Sequence, residues 1–391
     1  MYELLWLLLP VAAASGWIMA RRSAPPTPRS RARDINPDYF QGINFLLNEQ
    51  PDKAIEVFIR LLEVDSDTVE THLALGNLFR RRGEVDRAIR IHQNLIARPT
   101  LSVSQRSAAL LELGQDYMRA GWLDRAESLF DELLEGGLHT LPALRHLLDI
   151  YQQEKEWDKA IAVAKRLEGG AGPSMQPVIA QFHCELAEQA LKKGDDNQAG
   201  QFLKRALGHD KNCVRASLMQ GRIALRAENC KAALKAFRQV EEQDIDYLPE
   251  ILEQMRQCYE QANTPNTSGA LKDYLLGILG RYDGVSPVLM LADLLARTEG
   301  DAVAVEFMTE QLRRRPSVRG LGRLIELNLL GASGKGKDDL LILRDLVAQL
   351  LKNKPIYKCG HCGFAGKSLH WQCPTCKEWN AVKPIHGVEG E

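Results

Sequence analysis

Residues 42–58 have the sequence "GINFLLNEQPDKAIEVF", in which small and large apolar side chains recur at fixed distances. Gly42 and Ala54 are the small residues. Phe45 lies three positions after Gly42, and Phe58 lies four positions after Ala54. The same pattern returns around seven later alanines: Ala88, Ala126, Ala160, Ala199, Ala233, Ala270 and Ala304. The differences between successive alanine numbers are 34, 38, 34, 39, 34, 37 and 34. This recurrence predicts a repeat protein rather than one globular core.

The pattern resembles the tetratricopeptide repeat, in which every unit is a helix-turn-helix of about 34 residues. The position twelve residues before each alanine is small in every repeat except the fourth. The residues there are Gly42, Gly76, Gly114, Leu148, Ala187, Gly221, Cys258 and Ala292. Small residues allow the two helices of a hairpin to approach closely, and large residues four positions after the alanine fill the space between hairpins. The fifth, seventh and eighth repeats are degenerate, and the longer intervals predict longer turns after every second repeat.

The sequence therefore predicts an all-α tetratricopeptide-repeat superhelix of about eight repeats over residues 35–316. Pro316 lies where proline would end the second helix of the last repeat. Two further amphipathic stretches, 318–330 and 339–351, predict helices within residues 317–354. Because terminal repeats need a different outer face, we expect this helix pair to cap the array.

The amino terminus carries an apolar stretch from Leu4 to Ala20 without any charged residue. Its length is at the short limit for a helix that crosses a hydrocarbon core of about 30 Å. A cleavable signal peptide is the alternative, but it would have positive charges before the apolar run. Here the arginines follow it, within the Pro-, Ser- and Arg-rich residues 21–34. We therefore predict an uncleaved transmembrane anchor over residues 1–20, a flexible linker over residues 21–34, a periplasmic amino terminus and a cytoplasmic body.

Two C-x-x-C pairs lie near the carboxyl terminus, in "YKCGHCGFAGKSLHWQCPTCKEW" at residues 357–379. In a reducing cytosol such pairs indicate metal ligands rather than disulfides. Four thiolates suit one tetrahedral ion, and the sequence leaves zinc and iron both open. We therefore predict a small rubredoxin-like (zinc-ribbon-like) metal-binding module over residues 355–385. Its ligands are predicted to be Cys359, Cys362, Cys373 and Cys376.

Other residues of this module have less specific roles. His361 and His370 could bind a metal in principle, but four cysteines already complete the coordination shell. Trp371 and Trp379 are expected to form the small core of the module. Lys377 occupies the position that matches Gly363 of the first pair, which predicts a less favourable second turn. The module follows the preceding helices after a short tether, so we expect it to pack on the repeats.

Charge and motif content argue against two classes of function. Lysine plus arginine number 50 and aspartate plus glutamate 51, so the chain lacks the concentrated basic surface typical of nucleic-acid binding. No nucleophile elbow, zincin helix or phosphate loop appears, and a four-cysteine metal shell has no open position for substrate. We expect a protein that is not an enzyme and does not bind nucleic acid, with a metal-based redox protein or a nucleic-acid regulator as less favoured alternatives.

The order of anchor, tetratricopeptide repeats and four-cysteine module resembles the lipopolysaccharide assembly protein B (LapB, or YciM) family of Gram-negative bacteria. The resemblance covers the whole chain, including "DYFQGINFLLNEQPDKAIEVFI" (38–59) and "YKCGHCGFAGKSLHWQCPTC" (357–376). It implies an inner-membrane adaptor that promotes degradation of LpxC, the deacetylase of lipid A synthesis, by the membrane protease FtsH. It also implies that the inner-membrane protein YejM (LapC) opposes this action.

The resemblance makes Cys359, Cys362, Cys373 and Cys376 the metal ligands and assigns no partner-contact residues, because the repeat surfaces carry no motif to compare. The alternative is a general membrane-tethered repeat scaffold for envelope biogenesis. The sequence leaves homo-oligomerisation of the chain open.

Overall fold

The computed structural model describes residues 14–17, 19, 37–48, 50–64, 69–169, 174–261 and 267–391. The chain divides into two compact units, residues 1–143 and 144–391. Most of the predicted anchor and all of the predicted linker lie outside the described residues. Within the described residues, no helix has the length and apolar character needed to cross a membrane.

Antiparallel pairs of helices make up most of the described chain. The first unit contains α1 (Pro37–Leu47), α2 (Pro51–Val64), α3 (Val69–Arg82), α4 (Val85–Ile96), α5 (Val103–Ala120), α6 (Leu123–Glu135) and the start of α7 (Thr140–Glu154). The second unit continues with α8 (Trp157–Glu168), α9 (Gln176–Lys192), α10 (Asp196–His209), α11 (Val214–Arg226), α12 (Cys230–Gln243), α13 (Pro249–Gln261), α14 (Thr267–Leu279), α15 (Ser286–Thr298), α16 (Asp301–Arg314), α17 (Val318–Gly331) and α18 (Lys335–Lys352). The tetratricopeptide-repeat fold class is thus confirmed, with eight hairpins from α1–α2 to α15–α16.

The small residues bring the helices of each hairpin together. A Cβ atom added to Gly114 would lie 2.5 Å from the Phe130 ring, and one added to Gly221 would lie 2.3 Å from the Phe237 ring. The repeat alanines Ala54, Ala88, Ala126, Ala160, Ala199, Ala233 and Ala304 are all completely buried. Phe130 and Phe237, which lie four positions after their alanines, thus pack on the glycine of their own hairpin, whereas the sequence pattern predicted that such residues fill the space between hairpins.

The seventh repeat differs from its predicted register. Ala270 is exposed, whereas Leu271, Leu275 and Ile278 are at most 3% exposed and pack in the core. The inward face of α14 is therefore shifted by one residue from the position that the alanine spacing predicted. In this degenerate repeat Leu271 occupies the buried position that alanine has in the other repeats. Ala270, one position earlier, was therefore wrongly aligned with the repeat alanines.

The connections between hairpins account for the unequal spacing. The turn after α4 covers residues 97–102, and the turn after α12 contains a 3₁₀ helix, Ile245–Tyr247. The turns after α6 (136–139) and α10 (210–213) are shorter. The predicted alternation of short and long connections is present at these positions but not after α14, where the connection 280–285 is as long as 97–102. The helix α16 ends at Arg314, just before Pro316.

After α18 the chain forms a small antiparallel sheet of β1 (Tyr357–Cys359), β2 (Ala365–Gly366) and β3 (Val382–Pro384), with the order β2-β1-β3. Tyr357 is opposite Gly366 in one pair and opposite Pro384 in the other. Cys359, Cys373 and Val382 are almost fully inaccessible and form the centre of this module. A module with so small an apolar core needs a metal or disulfides to be stable.

Candidate metal centre

Two turns of the same kind present the four cysteines. In the first turn the Gly363 N–H donates to the Cys359 carbonyl at 3.0 Å, and in the second the Lys377 N–H donates to the Cys373 carbonyl at 2.9 Å. Gly363 has φ 79° and Lys377 has φ 61°, so both positions adopt the left-handed conformation. The backbone of each turn therefore bends around its pair of sulfurs in the same way.

The structure brings the four predicted cysteines together. Their Sγ atoms all lie within 4.8 Å of one another, with 3.8 Å between Cys359 and Cys376 and 3.6 Å between Cys362 and Cys373. A tetrahedral ion with metal–sulfur bonds of about 2.3 Å separates its ligand atoms by about 3.8 Å. A disulfide would need about 2.05 Å. The spacing and the donor set therefore fit one tetrahedral metal ion and leave zinc and iron both possible.

The electrostatics of the cluster favour the exchange of protons for a cation. Burial opposes ionisation of Cys373, but backbone N–H groups of Cys376 and Thr375 and neighbouring thiols lower its pKa to about 7. At Cys376 the Glu378 N–H favours the thiolate, but burial and the other three thiols raise the pKa to about 12. Without a metal the Cys376 thiol therefore retains its proton, which a divalent cation would displace.

The two histidines of the module do not join the cluster. Among the described residues, only the four cysteines form this group of candidate metal-binding side chains. His361 is exposed, and the His370 ring bonds Ser368 Oγ at 3.1 Å. No position is left for a substrate on a four-thiolate ion, so the site fits a structural metal.

The two tryptophans lie between the module and the repeats, which corrects the prediction that they form the core of the module. The Trp371 ring stacks on Tyr247, with ring centroids 5.4 Å apart. The Trp379 ring meets Phe182 edge-on at 6.0 Å, and its Nε1–H donates to Gln152 Oε1 at 3.1 Å. The module therefore uses its two tryptophans to dock on the repeats. Two tryptophans in a module of about 30 residues were the feature of the sequence that could have indicated this contact.

A buried arginine from α11 completes this contact. Arg215 is 2% exposed, and its guanidinium carbon lies 5.9 Å from the Trp371 ring centroid and 6.0 Å from that of Trp379. Its Nη2 also donates to Glu185 at 2.8 Å and Glu188 at 2.6 Å. Burial opposes the charge on Arg215, but the two glutamates raise its pKa above the ordinary value. The sequence alone did not single out this residue.

The longer turn before α13 holds the other side of the module. The Tyr247 hydroxyl donates to the Val382 carbonyl at 3.2 Å, and Lys383 Nζ pairs with Asp244 at 2.7 Å and Asp246 at 3.0 Å. Burial, assisted by the three nearby acidic residues, raises the pKa of the Tyr247 hydroxyl well above its usual value, so this hydroxyl remains a donor. The turn that lengthens the interval between Ala233 and Ala270 to 37 residues is thus a docking site for the module.

The carboxyl-terminal residue also contacts the repeats. The Glu391 carboxylate accepts hydrogen bonds from the Ser286 N–H at 3.1 Å and the Ser286 hydroxyl at 2.6 Å, at the start of α15, and it pairs with Arg319. Gln152, Gln181 and Arg215 contact the module from α7, α9 and α11. Each of these helices, like α15, is the first helix of its hairpin, so the contacts involve several hairpins. The expected packing of the module on the repeats is therefore present within the second unit.

Comparisons with known proteins agree with this description. The family described as "Rubredoxin metal binding domain" matches residues 357–384, and two families described as "Tetratricopeptide repeat" match residues 71–104 and 111–176. "Lipopolysaccharide assembly protein B" of Escherichia coli (strain K12) is 42% identical over 391 residues and covers 100% of both chains. The protein of the same name from Haemophilus influenzae is 36% identical over 400 residues, again with 100% of both chains covered.

Solved structures resemble shorter portions of the chain. The MamA protein covers 44% of this chain and 90% of its own, with 22% identity and a TM-score of 0.34. YrrB, described as a tetratricopeptide-repeat protein with an unusual peptide-binding site, covers 50% of this chain and 95% of its own. It has 15% identity and a TM-score of 0.33.

Proposed function

The chain belongs to the lipopolysaccharide assembly protein B family, and on that premise we propose that it is a membrane-tethered adaptor without catalytic activity of its own. In this proposal it binds the deacetylase LpxC, presents it to the membrane protease FtsH and thereby limits lipopolysaccharide synthesis. YejM (LapC) would oppose it from the same membrane.

One observation carries the adaptor proposal most directly. The chain is built mainly from repeat hairpins, whose stacked helices provide extended surfaces for protein partners. Its candidate metal centre consists of four thiolates that complete a tetrahedral shell. Such an ion stabilises a fold rather than activating a substrate, so the chemistry of the proposed pathway must come from the partners.

The apolar residues 4–20 support the membrane part of the proposal. We propose that they span the inner membrane once, with the amino terminus in the periplasm and the repeats in the cytoplasm. An adaptor confined to the same membrane as the protease raises the effective concentration of bound substrate near it without any new contact. The arginines after residue 20 would hold this orientation and attract anionic headgroups.

The half-life of the deacetylase in cells tests the proposal. In cells that lack their own copy, the full chain should shorten this half-life, whereas a chain without residues 1–20 should leave the deacetylase stable. The truncated protein should still purify in soluble, folded form with its metal, because the four predicted ligands all lie near the carboxyl terminus.

Two controls test whether the effect depends on FtsH and on membrane tethering. The full chain should have no effect in cells whose FtsH is proteolytically inactive, and an unrelated single span in place of residues 1–20 should restore at least part of the effect. A truncated chain that is fully active at native expression levels would show that tethering is unnecessary and that the proposal is wrong.

A further inference from the structure

Two cysteines outside the metal centre lie side by side beneath the docked module. Cys184 belongs to α9 and Cys213 directly precedes α11, and their Sγ atoms are 3.7 Å apart. Both residues are completely buried, and both are free thiols. Because a disulfide has an S–S bond of about 2.05 Å, the two sulfurs would have to approach by about 1.6 Å to form one.

The position of Cys213 at the start of a helix favours its thiolate. The Ala216 N–H, in the first turn of α11, donates a hydrogen bond to this sulfur. Hydrogen bonding with Cys184, assisted by this N–H and by Arg215, lowers the pKa of Cys213 although burial opposes ionisation. Burial and the same thiol contact raise the pKa of Cys184. Since the thiolate is the nucleophile of cysteine chemistry, Cys213 is the reactive member of the pair.

The docked module covers this pair. Gln181 Nε2 lies 3.5 Å from Cys213 Sγ and donates to Asn380 Oδ1 of the module at 3.0 Å. Arg215, two positions after Cys213, lies against both tryptophans of the module. Gln181 and Arg215 are themselves almost fully buried. On this side of the repeats the module therefore lies between Cys213 and solvent.

We propose that Cys184 and Cys213 are an oxidation site for peroxides, and that the docked module protects it. When the module is released, the Cys213 thiolate attacks the O–O bond of hydrogen peroxide. One oxygen stays on sulfur as a sulfenic acid, and the other takes up a proton and leaves as water. The Cys184 thiol then attacks this sulfenic acid, so that the S–S bond forms and the second oxygen leaves as water. Two thiols are oxidised, one peroxide is reduced to two waters, and α9 becomes covalently joined to the start of α11.

Peroxide treatment of the full chain, followed by peptide mapping, tests the proposal. Trypsin releases residues 167–192 and 212–215 as separate peptides, so the disulfide joins these two. Trp379→Ala keeps the four cysteines of the metal centre and loses a docking contact, and Cys359→Ser should release the module through loss of the metal. Both variants should form the joined peptides roughly tenfold faster than the unmodified, metal-loaded protein, because only exposed thiols meet the oxidant.

Further substitutions in the Trp379→Ala chain assign the two sulfurs. Cys184→Ser should accumulate the sulfenic acid at Cys213, which dimedone labels, because no partner thiol remains to react with it. Cys213→Ser should leave Cys184 unlabelled. Cys230→Ser is the control, since Cys230 lies at the start of α12 and outside the pair, and the joined peptides should still form.

Circular dichroism of each variant shows whether the helices are intact during the reaction. The proposal is wrong if both released variants keep their helices and never form the joined peptides. Equal rates in the docked protein and in the released variants would contradict protection by the module. Joined peptides that appear only after the helices are lost would also overturn the proposal, because the two thiols would then react only in the unfolded chain.

Discussion

At the scale of single residues, Lys377 has a backbone conformation that suits glycine better than lysine. Its φ of 61° matches that of Gly363, at 79°, in the equivalent turn of the first cysteine pair. Residues with a Cβ atom lose about 1 kcal/mol or more in this left-handed region. The strain remains because the Lys377 N–H must reach the Cys373 carbonyl for the turn to form.

Lys377→Gly should therefore stabilise the module by roughly 0.5–1 kcal/mol, because it removes this strain at some cost in unfolded-state entropy. Denaturant unfolding followed by tryptophan fluorescence measures the change. Lys358→Gly is the control, since Lys358 is exposed in β1, where glycine should destabilise by about 0.5–1 kcal/mol. Equal destabilisation by both variants would show that Lys377 is not strained.

Arg215 is a buried charged residue in the contact between the module and the repeats. Arg215→Met keeps much of the side-chain length and removes the charge that pairs with Glu185 and Glu188. Both glutamates are partly exposed, so we expect a loss of roughly 2 kcal/mol rather than the larger cost of a fully buried pair. Red-shifted fluorescence of Trp371 and Trp379 should accompany it. Arg222→Met on the same helix is the control, and because Arg222 is exposed it should leave the emission unchanged.

At the scale of the helices, the glycines at the close contacts determine how near the two helices of a hairpin can lie. In Gly221→Ala the added Cβ atom would lie 2.3 Å from the Phe237 ring, so the hairpin α11–α12 must open. We expect a loss of about 1–3 kcal/mol, typical of overpacking. Thermal unfolding by calorimetry provides the measurement.

Gly200→Ala is the matched control for this prediction. Gly200 lies inside α10, and a Cβ atom added there meets no other atom within 4 Å. Alanine is a better helix former than glycine, so this variant should gain about 0.5–1 kcal/mol. If Gly221→Ala were equally stabilising, the close contact would be absent.

These helices also show how far the sequence could predict the structure. The repeats, their hairpins and the four cysteines follow from local spacing, because each depends on residues fewer than 40 positions apart. The register of α14 was wrong because a degenerate repeat carries Leu271 where the others carry alanine. Docking through Trp379 and Gln152 was not predictable, since their contact joins residues 227 positions apart and no local pattern reports it.

For the protein as a whole, the candidate metal centre matters because the module that contains it covers a large surface of the repeats. The module covers parts of several first helices, and its own apolar core is small. Loss of the metal should therefore unfold the module and expose Tyr247, Phe182 and Arg215 together. The free energy of metal binding would then stabilise both the module and its docked position.

Cys359→Ser tests this coupling. The full chain should contain about one zinc or iron ion, and the variant should lose it. Hydrogen exchange in α9, α11 and α13 should then become faster, because the module no longer covers these helices. Cys230→Ser at the start of α12 is the control, and it should keep both the metal and the exchange rates. Full metal content in Cys359→Ser would mean that the ligand set is wrong.

We propose that this chain delivers a soluble deacetylase to a protease in the same membrane. Degradation of purified LpxC by FtsH in lipid vesicles measures it directly, with the full chain either in the same vesicles as FtsH or in separate ones. Degradation should accelerate when the chain and the protease share a vesicle, and the chain in separate vesicles should have little effect. An unchanged rate in shared vesicles, or equal acceleration from separate ones, would contradict it.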